Sequence, residues 1–387
     1  MERASIYLGK TTWRREGRPV GMLQDDRFLH MLILGQTGTG KTTLIRSMAL
    51  QDAAAGRGFM VLDPHGDLAE DLHQELIAMG RRHRYLDLGH LRPNFSYNPL
   101  ADVEPGNESF VVNSIVDVFR HLWTLEDAPR FEHLLRNVLF ALLAHERPSL
   151  HLIPELLSDK ALRRRVLRRV QNEEVLRFWR DEYDGYSAKF RAVVVAPLQN
   201  KIGALLTDPR LQRVLANGEG RIDLRREMDS DGIVVVNLAK GRIGSGPASL
   251  VGSLLLTECA RLAFTRADQA EPNRRDFIVY ADEFHQFTTG SVASMLSELR
   301  KYRVGVVLAA QFMTQMRRDV LDSVCGNAGS KLIFRIGSDD AQRLAAEFGP
   351  RFALPDLMET PNWHAKVRIA IAGAPSRAFS MKTLDES

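Results

Sequence analysis

At 387 residues, with 44% hydrophobic and 26% charged side chains, the chain has the make-up of an ordinary folded protein and exceeds what one hydrophobic core usually organises. Lys and Arg nearly balance Asp and Glu, leaving a net charge of +4, so composition alone does not mark a nucleic-acid binder; positive charge would have to be gathered locally. The two cysteines, Cys259 and Cys325, lie far apart without metal-type spacing and read as reduced core thiols of a reducing compartment. The opening Met-Glu-Arg-Ala-Ser-Ile-Tyr lacks the apolar stretch of a secretory signal, and no uninterrupted apolar run approaches the roughly 20 residues of a membrane span. The expectation is a soluble, cytoplasmic protein with no direct membrane insertion, any membrane role requiring a partner that supplies the anchor.

The first thirty residues read as short strands and turns around Gly9, Gly17, Pro19 and Gly21. From His30 an alternating α/β pattern begins. Met31–Leu34 is a short apolar run without alternation, the mark of a strand buried on both faces. A glycine-rich loop follows, then a helix from Thr42 to Ala55 that stops near Gly56. Gly58–Leu62 is a second buried strand, running into Asp63-Pro64-His65-Gly66-Asp67; a helix from Leu68 to Met79 and a strand over Arg84–Leu88 come next. Between Asp102 and Ala216 apolar residues recur at helical spacing, as in Val111, Ile115, Val118 and Leu135, Val138, Leu142, which predicts an inserted all-helical domain that takes in Val193–Val195. The α/β rhythm then resumes with strands at Gly232–Asn237, Asp276–Ala281, Val304–Ala310 and Lys331–Ile336. Helices are expected at Ser249–Ala263, Ser291–Lys301, Arg317–Val324 and Asp339–Phe348, and closing strands at Ala365–Ile371 and Arg377–Met381. Such alternation predicts a mainly parallel sheet covered by helices on both sides, divided in sequence as 1–101, the insertion 102–216, and 217–387.

Residues 35–43, Gly35-Gln36-Thr37-Gly38-Thr39-Gly40-Lys41-Thr42-Thr43, are built to cradle the phosphates of a nucleoside triphosphate such as ATP. Glycines let backbone N–H groups turn inward around the β-phosphate, and the following helix adds the positive end of its dipole. Lys41 brings a mobile charge to the β- and γ-phosphates, and the Thr42 hydroxyl is placed to ligate Mg²⁺. The strand Phe277–Ala281 delivers Asp282 and Glu283 to its C-terminal end, where ligands bind in a parallel sheet. There Asp282 would hold Mg²⁺ through its water shell, and Glu283 would orient and deprotonate the attacking water. The structural alternative is a pair that caps the next helix or lies in solvent. Gln311, at the end of strand Val304–Ala310, could bond the γ-phosphate or the lytic water; a plain turn-forming Gln is the other reading.

The P-loop, the Leu62-Asp63-Pro64-His65-Gly66-Asp67 segment, Tyr97-Asn98-Pro99-Leu100, the Asp282-Glu283-Phe284 strand end and Ala309-Ala310-Gln311 together resemble the HerA/FtsK superfamily of RecA-like motor ATPases. Within it the likeness is greatest to the TraG/TraD-type coupling proteins of type IV secretion and runs from about Arg27 to Met381. The resemblance implies a RecA-like core, a hexameric ring with ATP sites at subunit interfaces, and duplex or single-stranded DNA moving through the pore. It also implies an arginine reaching a neighbour's γ-phosphate, matched by Arg300 before the Gln311 strand, with Arg335 a second candidate. Either arginine could instead form a surface or interface ion pair. Membrane-bound coupling proteins carry N-terminal transmembrane helices and this chain shows none, so a relative that works alone, or is recruited by a membrane partner, is expected. The function expected is an ATP-driven DNA translocase in a homo-oligomeric ring, gripping backbone phosphate with little sequence specificity. The alternatives are a secretion ATPase that moves protein, and a HerA-like motor subunit partnered with a nuclease in DNA repair or phage defence.

Other features read as structural. The basic run Ala161–Val170 suits a solvated helix face, with Leu162, Val166 and Val170 on its apolar side and Arg164, Arg165, Arg168 and Arg169 on the surface; a phosphate-backbone contact is the other reading. Arg81-Arg82-His83-Arg84 follows a helix C-terminus, where positive charge offsets the dipole. His65 and Asp67 lack the further ligands of a metal site and suit a turn closing near the γ-phosphate; His285 suits a packing or pore-facing role, with proton shuttling the other reading, and Lys240 and Arg242 are candidates for a pore loop.

Overall fold

The structure, a computed structural model, describes residues 5–12, 16–123, 129–216, 218 and 220–384. In chain order the strands are β1 (Ile6–Thr11), β2 (Pro19–Met22), β3 (Met31–Leu34), β4 (Gly58–Asp63), β5 (Arg84–Asp87), β6 (Ile233–Asn237), β7 (Phe277–Ala281), β8 (Val304–Ala310), β9 (Ser330–Ile333), β10 (His364–Arg368), the short pair β11 (Ala370–Ile371) and β12 (Ala374–Pro375), and β13 (Phe379–Thr383). Among the described residues eleven of these form one sheet in the order β2-β1-β13-β10-β9-β3-β8-β7-β4-β6-β5. The stretch from β9 through β3, β8, β7 and β4 to β6 is parallel, while β10, β13, β1 and β2 extend it antiparallel on one side.

The parallel strands β3, β4, β6, β7 and β8 are buried at every position, which is why their Val, Ile and Leu runs carry no alternation. On the antiparallel side β10 alternates between buried and half-buried residues, as a strand with one covered face does. Helix α1 (Lys41–Ala54) follows β3, and α2 (Asp67–Ala78) follows β4. Leu68, Leu72 and Leu76 are spaced four apart on α2 and buried, so the amphipathic period alone explains how that helix seats.

The chain divides into two compact units, one of residues 1–86, 223–239 and 255–387, the other of residues 87–222 and 240–254. The sheet belongs to the first. The second contains the helical segment expected over 102–216, with helices that include Glu108–Trp123, Pro129–Leu143, Lys160–Leu167 and Ala188–Leu206. Asp159, Ser187 and, before the helix Pro209–Val214, Asp208 each accept a first-turn amide, the polar caps that set where their helices begin. In the basic run, Arg164, Arg165, Arg168 and Arg169 are exposed as expected. Arg163 is not: it is buried, donates to the Leu156 carbonyl at 3.0 Å and lies over the Tyr183 ring at 5.0 Å. Lys240 and Arg242 sit in a single helical turn, Lys240–Ile243, rather than an open loop. One helical stretch among the described residues, Ser245–Asp268, is long and apolar enough to cross a membrane, and most of it is buried within the protein.

Candidate nucleotide site

The site is assembled at the C-terminal ends of three adjacent strands of the first unit. β3 ends at Leu34 and the loop leaves the sheet tied on both sides: Gly35 N–H donates to the Ala310 carbonyl at 3.2 Å, and Gln36 N–H to the Arg335 carbonyl at 2.8 Å. Two of the glycines are required by geometry. A Cβ at Gly35 would lie 2.6 Å from Cβ of Phe334 and 2.8 Å from the Thr39 hydroxyl. Gly40 has φ +112°, in the left-handed region, and a Cβ there would also meet the Trp363 ring at 2.9 Å. Gly40 caps α1 without a side-chain acceptor, so the first-turn amides of this helix are left to a ligand, as an anion site requires.

Lys41, the first residue of α1, is buried, with its ammonium donating to the carbonyls of Gly35 at 2.6 Å and Gln36 at 3.2 Å. Burial lowers its pKa, and the charges of Glu283 and Asp282 act in the opposite direction. The ammonium is therefore held against the loop by neutral acceptors that a phosphate, carrying real charge, would outcompete.

The P-loop strand and the acidic strand are not neighbours. β8 lies between β3 and β7 and pairs parallel with each, so three strand tips carry Lys41 and Thr42, Gln311, and Asp282 with Glu283. The exposed Thr42 donates from its hydroxyl to Asp282 Oδ2 at 2.9 Å. Burial, together with the adjacent Glu283 charge, raises the Asp282 pKa; the Thr42 hydrogen bond and the Lys41 charge oppose that rise. Such a pair suits Mg²⁺, which takes one or two carboxylates and a hydroxyl beside substrate phosphates rather than a closed protein cage. Accordingly, no cluster of three or more His, Cys, Asp or Glu suited to a metal occurs among the described residues.

Glu283 is 5% exposed and holds φ +46°, a left-handed conformation that is uncommon outside glycine and concentrates at functional sites. Its carboxylate accepts from Gln311 Nε2 at 2.9 Å, and His285 Nδ1 lies 3.5 Å away on the other oxygen. Lys41, Thr42, Asp282, Glu283 and Gln311 are thus brought together. Thr37 and Gly38 form the exposed crest of the loop, and Thr39, whose hydroxyl donates to the Gln36 carbonyl at 2.7 Å, is buried beneath it. Thr43, half-buried, is in the first turn of α1.

The arginines divide. Arg335 donates from Nε to Gln36 Oε1 at 3.2 Å and so touches the loop, but it does not lie in a strand. The expected strand Lys331–Ile336 stops at Ile333 because its ladder partner β3 ends at Leu34 and the P-loop turns out of the sheet. Arg300 is exposed in a helical turn that precedes β8, at the opposite end of that strand from Gln311, a separation of roughly 20 Å by strand rise. Its side chain has no partner among the described residues, and the chain does not bring it to its own site.

Two further groups had no role assigned to them from the sequence. Asp63, at the tip of β4 beside β7, is buried and accepts from the backbone of His65 at 2.9 Å and Ala69 at 3.0 Å, which fixes the turn into α2. Beneath the site, Arg27 makes a two-pronged bond to Asp52 of α1, both contacts 2.7 Å, and donates to the Tyr280 hydroxyl of β7 at 2.7 Å. Tyr280 donates back to Asp52 at 2.5 Å, and Arg57 bonds the same carboxylate at 2.7 Å. This buried network joins the P-loop helix to the strand that carries Asp282.

Residues 8–146 match the family model of the central domain of helicase HerA. Beyond that stretch the likeness to known proteins is one of fold, a RecA-like sheet flanked by helices. The chain is similar to the plasmid coupling protein TrwB in complex with the non-hydrolysable ATP analogue ADPNP, at 15% identity and a TM-score of 0.67, covering 100% of this chain and 91% of that one. It is also similar to TrwB in complex with ADP and Mg²⁺, at 14% identity and a TM-score of 0.68 with the same coverage. VirB4 of Thermoanaerobacter pseudethanolicus matches at 15% identity and a TM-score of 0.69, covering 100% of this chain and 97% of that one. No curated protein matches by sequence. The resemblance to TraG/TraD-type proteins therefore stands at the level of the RecA-like fold.

Proposed function

We propose that the chain is a Mg²⁺-dependent ATPase that drives DNA through a homo-oligomeric ring. The observation that supports it most is the convergence of three strand tips: the Lys41 loop, the Thr42–Asp282 contact at 2.9 Å and the Gln311–Glu283 contact at 2.9 Å. In this reading the Lys41 ammonium leaves the Gly35 and Gln36 carbonyls for the β- and γ-phosphates, and the α1 amides take the remaining phosphate oxygens. Thr42 and Asp282 would hold Mg²⁺, which supplies neutralising charge to the phosphates. Glu283 takes the proton of the attacking water, and Gln311, already bonded to its carboxylate, orients that water against the γ-phosphate. Arg335 steadies the loop through Gln36. Arg300, exposed and away from its own site, is available to a neighbouring subunit's nucleotide, where it would stabilise transition-state charge.

The coupling to DNA rests on likeness of fold to a plasmid coupling protein and is tested by turnover. ATP hydrolysis is expected to rise severalfold on adding duplex or single-stranded DNA of arbitrary sequence. DNA affinity is expected to fall by about tenfold or more between about 50 and about 200 mM salt, as backbone-phosphate binding requires. A rate that stays at its basal value with both kinds of DNA contradicts the DNA reading and favours an ATPase that moves protein.

A further inference from the structure

Trp363, in the turn that leads into β10, is 42% exposed, the bulkiest of the exposed apolar side chains among the described residues, yet its backbone is tied on both sides. Its backbone N–H donates to the Thr39 carbonyl of the P-loop at 2.9 Å, and its own carbonyl accepts from the Thr383 N–H at 2.8 Å and the Thr383 hydroxyl at 3.1 Å. Its φ is +65°, a left-handed conformation that a bulky side chain adopts only where the surroundings impose it. The indole lies against Gly40, where an added Cβ would come within 2.9 Å of Cε3 and 3.4 Å of Cζ3. An exposed aromatic ring is thus fastened to the phosphate loop through the backbone, at the position where α1 begins.

Strand order says which end of a nucleotide this ring faces. The groups suited to the γ-phosphate and metal, Asp282, Glu283 and Gln311, lie on β7 and β8, on one side of β3. β9 and β10 lie on the other side, and Trp363 immediately precedes β10. A triphosphate laid along the loop with its γ end toward Glu283 points its nucleoside toward Trp363. An aromatic face that is half open to solvent and set against the phosphate loop is what a base needs for stacking.

We propose that Trp363 is the platform on which the purine base of the bound nucleotide stacks, so that the base is gripped from the phosphate loop itself. The proposal rests on the nucleotide reading above. Its recognition is by ring face, so it accepts adenine and guanine alike and favours purines over pyrimidines.

The test compares ATP with inorganic tripolyphosphate, which carries the phosphates and no base, in calorimetric titrations of the full chain. Trp363→Ala is expected to weaken ATP binding about tenfold or more and to leave tripolyphosphate affinity unchanged, while Trp363→Phe restores most of the ATP affinity. Equal weakening of both ligands would overturn the proposal and reduce Trp363 to a support for the loop, and unchanged ATP affinity in Trp363→Ala would overturn it too. If the unaltered chain binds neither ligand, the phosphate site itself fails and the stacking platform falls with it. If it binds both and Trp363→Ala changes nothing, only the platform fails.

Discussion

Replacing Glu283 with Gln is expected to lower ATP turnover about a hundredfold to ten-thousandfold while ATP stays bound. The side chain keeps its shape, and its amide oxygen can still accept from Gln311, which now lies 2.9 Å from the carboxylate. What the substitution removes is the ability to take a proton from water. Single-turnover hydrolysis measured beside equilibrium nucleotide binding separates the two effects. Unchanged turnover would take Glu283 out of the chemistry and leave it as a structural partner of Gln311.

Asp52→Ala is expected to destabilise the protein by about 3–5 kcal/mol, a large part of the total stability of an ordinary domain. Asp52 is fully buried and Arg27 is 4% exposed, so the truncation strands a guanidinium without a counter-charge. Burial alone would raise the Asp52 pKa, but the charge and hydrogen bonds of Arg27, with those from Tyr280 and Arg57, hold it below the ordinary carboxylate value. With a folded pKa below the unfolded one, this stabilisation is complete above about pH 4 and fades as the pH falls further. Urea unfolding at neutral pH measures the loss. The double replacement Asp52→Leu with Arg27→Met, which removes both charges but leaves the buried Tyr280 hydroxyl and Arg57 without this carboxylate, is expected to recover part of it. A cost below about 1 kcal/mol for Asp52→Ala would mean the network is not the fastener between α1 and β7 that its geometry indicates.

The parts of the site legible in the sequence are those made by contiguous residues. A buried strand, a glycine loop and a helix follow one another from Met31 to Ala54, so the phosphate cradle is written out in order. Asp282 and Glu283 are legible for the same reason, as carboxylates at the end of an apolar run. Strand order is not legible, because crossover connections decide it; nothing in the local sequence says that β8 stands between β3 and β7 and sets Gln311 against Glu283. The Arg27–Asp52–Tyr280 network joins residues 25 and 228 positions from Asp52, each of which reads in isolation as a surface charge or an ordinary aromatic. The place of Arg163 is not legible either, because the rings of Trp179 and Tyr183 that make its buried position favourable come from a later segment. The strand over Lys331–Ile336 was too long by the same logic: the apolar run continues past Ile333 after the ladder has ended.

Titrating ATP and Mg²⁺ into the unaltered chain and into Lys41→Ala, with hydrolysis followed in the same samples, tests the nucleotide site most directly. The unaltered chain is expected to bind and hydrolyse ATP. The variant, lacking the ammonium that now sits 2.6 Å from the Gly35 carbonyl, is expected to lose both by about a hundredfold or more. Equal affinity and equal turnover in the two proteins would contradict the phosphate site, and with it every step assigned to Thr42, Asp282, Glu283 and Gln311.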